Sequence, residues 1–157
     1  MGDIKTVRPE VKVEVLHWRG GKLLWRYEGQ DRIGSAGRDL LATRIGTADA
    51  GRVRYIRASA IGTSTAALGT PQYKGLGSVV YHGTVPFTKP SAIGSFQFNR
   101  NYSIGSSYAM RESGLFVGTA KDKLLRGTLY CRGTFPVRNV SSGDTITLNY
   151  RCGFISG

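Results

Sequence analysis

The chain has 157 residues and carries 22 lysines and arginines against 10 acidic side chains, for a formal net charge of +12. This length suits one domain that buries a core without disulfides or metal. There is no apolar run of about 18 residues to span a membrane, and residues 1–5 lack the hydrophobic segment that a signal peptide would have, so we expect no secretory leader. Twenty-two glycines, with short runs rich in Val, Ile, Tyr, Phe and Thr, favour an all-β domain over helical or βαβ layouts.

The first residues divide into an arm and a hairpin. Residues 1–10 show little periodicity and are predicted to form an N-terminal arm, with residues 11–157 as a single β-sandwich domain. Val11, Val13 and Val15 alternate with polar residues, and a second strand follows Gly20-Gly21. This pattern predicts a hairpin with a two-residue turn, whose second strand runs over residues 22–28.

The middle of the chain predicts one short helix and several strands. Residues 36–45 form the helix, with Ser35 as its N-cap and Gly46 as its stop. A strand begins near Arg52, and residues 61–77, rich in Gly, Thr, Ser and Ala, are predicted to be a long loop. Further strands are expected over residues 78–87, 94–104 and 108–117. The predicted fold is an all-β, single-domain antiparallel β-sandwich, jelly-roll-like, with about eight strands and the one short helix.

The last third of the chain predicts a long β-hairpin over residues 124–154. Apolar residues share one face of both strands, and the turn signal lies at residues 140–144. If Asn139 faces Asp144, then Cys131 faces Cys152 and Arg132 faces Arg151. Two opposed cations cost stability unless something negative lies above them.

The polar side of this predicted hairpin is interpreted as a partner-binding surface. It carries tyrosine and arginine without an acidic residue, which suits contacts with carboxylates or phosphates. Charge is also uneven along the chain, with nine basic and seven acidic residues in positions 1–50 but thirteen and three in positions 51–157. The predicted partner-binding residues are those of this face and of the arm: Arg126, Tyr130, Arg132, Arg138, Arg151, Ile4, Lys5, Val7 and Arg8.

No catalytic or metal-binding set with specific spacing is present. His17 and His82 lie in separate predicted strands without a cysteine or carboxylate at metal-ligand spacing, and no phosphate-binding glycine loop occurs. We therefore expect no enzyme activity, no cofactor and no metal. Cys131 and Cys152 could form a disulfide if they face each other, but a reducing cytoplasm favours two buried thiols.

Several segments, taken in order, resemble a family of small β-rich structural proteins in the virions of tailed bacteriophages. Residues 33–41 (IGSAGRDLL) are similar to its Ala-Gly-Arg-x-Leu-Leu step, and residues 53–58 with 61–64 partly match a Tyr-Ile-Ala-Leu-Gly-Thr-Gly-Thr segment. Residues 112–116 (ESGLF) resemble Glu-x-Gly-Leu-Phe, and residues 124–128 stand where Leu-Leu-Ala-Arg is usual. Residues 142–150 (SGDTITLNY) resemble Ser-Gly-Asp-Thr-Leu-Thr-Val-Thr-Trp.

The resemblance implies a non-enzymatic virion part, made in the host cytoplasm and assembled with copies of itself and with the major capsid protein or tail proteins. The leading expectation is a capsid decoration or cement protein that binds the capsid exterior in many copies. The alternative within this class is a tail, baseplate or fibre-attachment component.

Two other functional classes of protein are also consistent with the residues alone. A basic nucleic-acid-binding module would use lysine and arginine for phosphates and Tyr55, Tyr73, Tyr81 or Tyr102 for base stacking. A carbohydrate-binding domain is less favoured, because the chain has two tryptophans and both fall in the first hairpin.

Overall fold

The computed structural model describes residues 7–33, 55–64, 78–85, 87–88, 95–118 and 128–156. These residues form nine antiparallel strands and no helix: β1 (Val7–Arg19), β2 (Lys22–Ile33), β3 (Tyr55–Gly62), β4 (Val79–Thr84), β5 (Phe87–Thr88), β6 (Ser95–Ser103), β7 (Tyr108–Gly118), β8 (Thr128–Val140) and β9 (Thr145–Ser156). The predicted all-β antiparallel domain is confirmed. The predicted helix at residues 36–45 lies outside the described residues.

The strands follow one another in the order β4-β3-β7-β8-β2-β1-β9-β6-β5. The sheet bends at two places, because the chain changes its neighbouring strand there. Most of β2 pairs with β1, but its last residues, Arg32 and Ile33, pair with β8. On the other side β4 pairs with β3, whereas β5, which starts three residues after β4 ends, pairs with β6. The result is a nearly closed barrel-like sheet.

The first hairpin and its two-residue turn are confirmed, but its second strand extends to Ile33 and not only to residue 28. Arg19 pairs with Lys22, and the turn residues Gly20 and Gly21 have φ values of +57° and +76°. Positive φ at both central positions is the geometry that matches the twist of the flanking strands, and glycine adopts it without strain. A register shift between His17 and Trp18 leaves β2 one residue longer than β1 at this point.

The predicted C-terminal hairpin is wrong. β8 pairs with β7 and β2, whereas β9 pairs with β1 and β6, so the short turn between them joins two layers of the barrel. The turn is held by Ile104 at the end of β6, whose N–H donates to the carbonyl of Asp144 at 2.9 Å and whose carbonyl accepts from Gly143 N–H at 2.8 Å. Leu148 and Phe135 are buried in the main core as expected, but they lie on strands that do not pair with each other.

The predicted arm is shorter than expected. Val7 to Glu10 belong to β1 and pair with the end of β9, from Ser156 to Gly153. Residues 1–6 lie outside the described residues. Strand β1 therefore has a partner on both sides from Val11 to Trp18 and on one side in its first four residues.

The main core fills the barrel and a second apolar cluster lies on the other face of β3, β7 and β8. Aliphatic and aromatic side chains from β1, β3, β6, β7, β8 and β9 form the main core. The second cluster consists of Ala58, Ala60, Phe116 and Leu129. Both faces of this layer are buried at this point, so Leu115, Phe116 and Val117 are consecutive buried apolar residues, whereas a strand with one exposed face would alternate.

Candidate contact surface and buried polar anchors

Arg132 does not belong to an outward arginine face. Its side chain is 1% exposed, and its neighbours in the sheet are Gly114 and Arg32, not Arg151. Its Nε donates to Oε2 of Glu112 at 3.0 Å, and a terminal guanidinium nitrogen lies 3.0 Å from the same oxygen. The acid that offsets this charge comes from the adjacent strand β7 and not from a partner chain.

Glu112 ties four parts of the fold together. It is fully buried, and its second oxygen, Oε1, accepts hydrogen bonds from the backbone N–H groups of Ser64 at 3.2 Å and Ser78 at 2.8 Å. Gly62 lies so close that an added Cβ would be 2.6 Å from Oε1. A buried charge requires both a counter-ion and further hydrogen bonds, and Glu112 has both.

Tyr130 is also removed from the predicted face. A register shift between Leu115 and Phe116 leaves Tyr130 without an opposite residue on β7, so it is the extra residue of a β-bulge. The bulge turns its ring into the core, where it is 5% exposed and where burial raises the pKa of its hydroxyl. The two-residue alternation of the sequence does not reveal such a bulge.

Arg138 joins a cluster at the turn between β8 and β9. Its Nε donates to Nδ1 of His17 at 2.8 Å, and its guanidinium carbon lies 5.4 Å from the centre of the Trp25 ring. His17 is 1% exposed, and its Nε2 lies 2.7 Å from Oδ2 of Asp144. Because an arginine Nε–H only donates, Nδ1 must accept, so His17 is neutral and donates through Nε2.

Asp144 is the centre of this cluster. Arg19 donates to both of its oxygens, at 2.8 and 3.0 Å, and the N–H of Ser141 donates to Oδ2 at 2.9 Å. The hydrogen bonds from Arg19, Ser141 and His17 hold the pKa of the Asp144 carboxyl well below its usual range. Since both ring nitrogens of His17 are engaged, the cluster clamps β1 to the turn and leaves neither nitrogen for a substrate.

Arg151 is the predicted contact residue that the structure places on an accessible surface. It is exposed on β9 and pairs with Lys12 of β1 and Gln97 of β6. These residues lie along a groove of about 610 Å³ on the outer side of β2, β1, β9 and β6. We call this the polar groove; its polar lining residues are Lys12, Glu14, Arg26, Glu28, Gln97, Asn99, Asn149 and Arg151.

Side-chain hydrogen bonds order the polar groove. The amide of Asn149 donates to Oε1 of Glu14 at 2.8 Å, and Nε of Arg26 donates to Oε2 of the same carboxylate at 2.7 Å. The bond from Asn149, together with Arg26, lowers the pKa of Glu14. Arg26 also contacts Glu28. The groove thus presents fixed amide, carboxylate and guanidinium groups in rows across four strands.

The remaining predicted contact residues fall into two groups. Ile4, Lys5 and Arg126 lie outside the described residues. Val7 and Arg8 lie in the paired part of β1, which contradicts their placement on a free arm. Among the described residues, the structure therefore separates the members of the predicted set instead of bringing them together.

Cys131 and Cys152 are free, buried thiols and are not cross-strand partners. Cys131 pairs with Leu115 and Ile33, whereas Cys152 pairs with Val11 and Phe96. Burial raises the pKa of both thiols, that of Cys152 to about 12. Both are therefore uncharged at neutral pH.

Two of the tyrosines suggested for base stacking have structural roles. Tyr102 is 4% exposed and donates to the carbonyl of Ser59 at 2.9 Å, and the Tyr81 ring packs against Tyr102 and Tyr108. Tyr81 also accepts a hydrogen bond from Gly105 N–H at 2.9 Å. The side chains of Tyr55 and Tyr73 lie outside the described part of the chain.

Within the described ranges, no group of three His, Cys, Asp or Glu residues could hold a metal ion, and no helix has the length and apolarity to cross a membrane. The chain matches no protein-family model, no curated protein and no solved structure.

Sequence patterns did not predict the burial of three acidic residues that organise the fold, Glu112, Asp144 and Asp31. Each has polar neighbours in the sequence, such as Arg111 and Ser113 beside Glu112. Local alternation gives no signal for them, because the partners that a buried carboxylate requires come from other strands.

Proposed function

We propose that this chain is a non-enzymatic structural protein of a tailed-bacteriophage virion, most simply a decoration protein that binds the capsid exterior in many copies. The observation that carries the proposal is the ordered set of segments that resemble this family. Two of these segments contain Glu112 and Asp144, the buried anchors of the barrel. The resemblance therefore falls on residues that the fold requires.

The polar groove supports a binding role. It crosses four neighbouring strands that are paired with one another, so its side chains lie on a regular sheet surface. The exposed basic groups of Lys12 and Arg151 suit an acidic shell. Repeated small contacts of this kind give high total avidity on a lattice even when each is weak. The net charge of +12 adds long-range attraction to an acidic partner.

The test is the location and copy number of the chain in purified virions of the phage that encodes it. We expect a quantitative gel to give hundreds of copies per particle and cryo-electron microscopy to place the density on the head. Density confined to the tail, with a few tens of copies or fewer, would replace decoration by a tail, baseplate or fibre-attachment role. Absence from the particle would overturn the virion proposal altogether.

A binding assay addresses the polar groove directly. We expect Arg151→Ser to lower occupancy on particles that lack the chain several-fold at moderate salt, since it removes an exposed cation from the groove. Lys22→Ser is the matched control, because Lys22 is an exposed cation of the first hairpin that does not line the groove. Equal loss in both variants would indicate non-specific charge attraction, and no loss in either would exclude the groove as the contact.

A further inference from the structure

Asp31 lies at the corner where β2 leaves β1 and joins β8. It pairs with Val11 of β1, and the next two residues, Arg32 and Ile33, pair with β8. Asp31 is 8% exposed. The thiol of Cys131 contacts its Oδ2 at 3.5 Å, while its buried Oδ1 has no hydrogen-bond partner among the described residues.

The space around Oδ1 is closed by the backbone of β8. A Cβ added to Gly133 would lie 2.0 Å from this oxygen, so the glycine is what allows the carboxyl group to enter the core. A carboxylate in this position has lost its water without gaining a full set of hydrogen bonds. Such a group is far less costly when it is protonated.

Few charges face Asp31 from the strands packed against it. Strand β8 contributes Arg132 and Cys131, and β9 contributes Cys152 and the hydroxyl of Tyr150. Strand β1 contributes the apolar Val11, and β7 contributes Glu112, which engages Arg132. The positive charge of Arg132 is therefore shared with a second carboxylate.

These surroundings determine how the stability of the closed form, in which the end of β2 is paired with β8, depends on pH. Burial raises the pKa of Asp31 to about 7, and the contact with Cys131 and the charge of Arg132 oppose only part of that rise. An exposed aspartate ionises near pH 3.9, roughly, so between about pH 4 and pH 7 the closed form holds a proton that an open form has lost. The closed form is therefore favoured at low pH and loses that advantage as the pH rises to 7.

The joint beside Asp31 is small. Strand β2 pairs with β8 at two residues, Arg32 with Arg132 and Ile33 with Cys131, whereas its pairing with β1 extends from Lys22 to Asp31. Such a short ladder opens with the loss of few backbone hydrogen bonds.

We propose that Asp31 is a pH-sensitive latch that holds the end of β2 against β8 while its carboxyl group is protonated. Ionisation of the carboxyl group at neutral to alkaline pH weakens this joint and opens the barrel on this side. The β1–β2 hairpin stays formed. The inference is independent of the virion proposal.

Amide hydrogen exchange at pH 5.5 and pH 8.5, corrected for intrinsic exchange rates, tests the latch. If opening exposes Asp31 fully, exchange in peptides covering residues 31–33 and 131–133 should speed up about 30-fold relative to peptides from the β1–β2 turn region. Asp31→Asn should lose this pH dependence. Glu28→Gln, which removes an exposed carboxylate of the same strand, should keep it.

A carbon-13 titration of the Asp31 carboxyl in the unaltered protein is the second measurement, and it stands even if Asp31→Asn does not fold. A midpoint near 7 with faster exchange at the joint supports the latch. A midpoint near 4, an unchanged exchange rate up to pH 8.5, or an equal increase in both regions overturns it.

Discussion

Arg132 and Glu112 form a buried ion pair between β8 and β7, with Nε and Oε2 3.0 Å apart and both side chains at most 1% exposed. Glu112 also accepts two backbone hydrogen bonds, from Ser64 and Ser78. Removing one partner of such a pair leaves an uncompensated charge in the core, which is far more costly than losing an exposed pair.

The ion pair predicts that substitutions of two arginines differ strongly in their effect on the free energy of unfolding. Arg132→Ser should lower the free energy of unfolding by about 3–5 kcal/mol, because it strands the Glu112 carboxylate. Arg151→Ser should change it by no more than about 0.5 kcal/mol, because Arg151 is exposed. Urea unfolding at neutral pH measures both, and a similar loss in the two variants would contradict the buried pair.

Asp144 predicts an acid-dependent contribution to stability. Its pKa is lowered in the folded state by the bonds from Arg19, Ser141 and His17, so the unfolded chain binds the proton more tightly. The stabilisation is therefore complete above about pH 4 and is lost as the pH falls toward the folded-state pKa. Asp144→Asn should lower stability at pH 7 by about 2–3 kcal/mol and flatten the acid limb of the unfolding profile.

The control for Asp144 is Glu28→Gln, which removes an exposed carboxylate. We expect this variant to keep the acid limb of the unaltered protein. Chemical unfolding at pH values from 2 to 7 makes the comparison, and parallel profiles for Asp144→Asn and the unaltered chain would show that the clamp is not responsible.

The contacts of Tyr102 help to close the barrel at the seam between β4 and β6, and they predict the stability cost of removing its hydroxyl group. Two side chains of β6 bridge this seam. Tyr102 packs against Tyr81 of β4 and bonds to the hydroxyl and carbonyl of Ser59 in the neighbouring strand β3. A terminal nitrogen of Arg100 donates to the carbonyl of Thr84 in β4 at 2.8 Å. Tyr102→Phe leaves buried groups of Ser59 without this partner and should cost about 1–3 kcal/mol. Tyr108→Phe keeps the ring contact with Tyr81 and should cost little; equal thermal unfolding midpoints would count against the seam.

The positive φ of Gly143 predicts that replacing this glycine lowers the stability of the fold through backbone strain alone. Its φ is +91°, and an added Cβ would meet nothing within 4 Å, so Gly143→Ala tests backbone strain without a clash. We expect a loss of about 1–2 kcal/mol. Gly105→Ala is the matched control, because its Cβ would make an ordinary contact 3.7 Å from the Tyr81 hydroxyl and no positive φ is required. Stability to urea should separate the two variants.

Local patterns predicted the strands well. The expected strands at residues 94–104 and 108–117 correspond to β6 and β7 within a residue or so, and the two glycines of the first turn adopt the positive φ values that the hairpin demands. These features depend on neighbours in the chain. Residues 124–154 show the limit: alternation marked both strands and the turn, but it could not decide whether the two strands pair with each other or with other strands.

The candidate site was predicted poorly for the same reason. Arg132, Arg138 and Arg151 all lie on the polar side of two predicted strands. In the structure Arg132 forms an internal ion pair, Arg138 donates a hydrogen bond to His17, and Arg151 lines the polar groove. The bulge at Tyr130 and the entry of Glu112 between β3, β4 and β8 depend on residues far apart in the chain.

The sequence by itself determined an all-β antiparallel domain, the approximate bounds of its strands and the first hairpin, because these depend on the two-residue alternation and on glycine backbone freedom. Tertiary structure alone decided the neighbours of each strand, the burial of Arg132 and Asp31 and the position of the polar groove. The physical reason is that an apolar strand face is buried equally well beside a neighbour or opposite one, so the choice depends on the whole barrel and on the polar partners that each arrangement supplies.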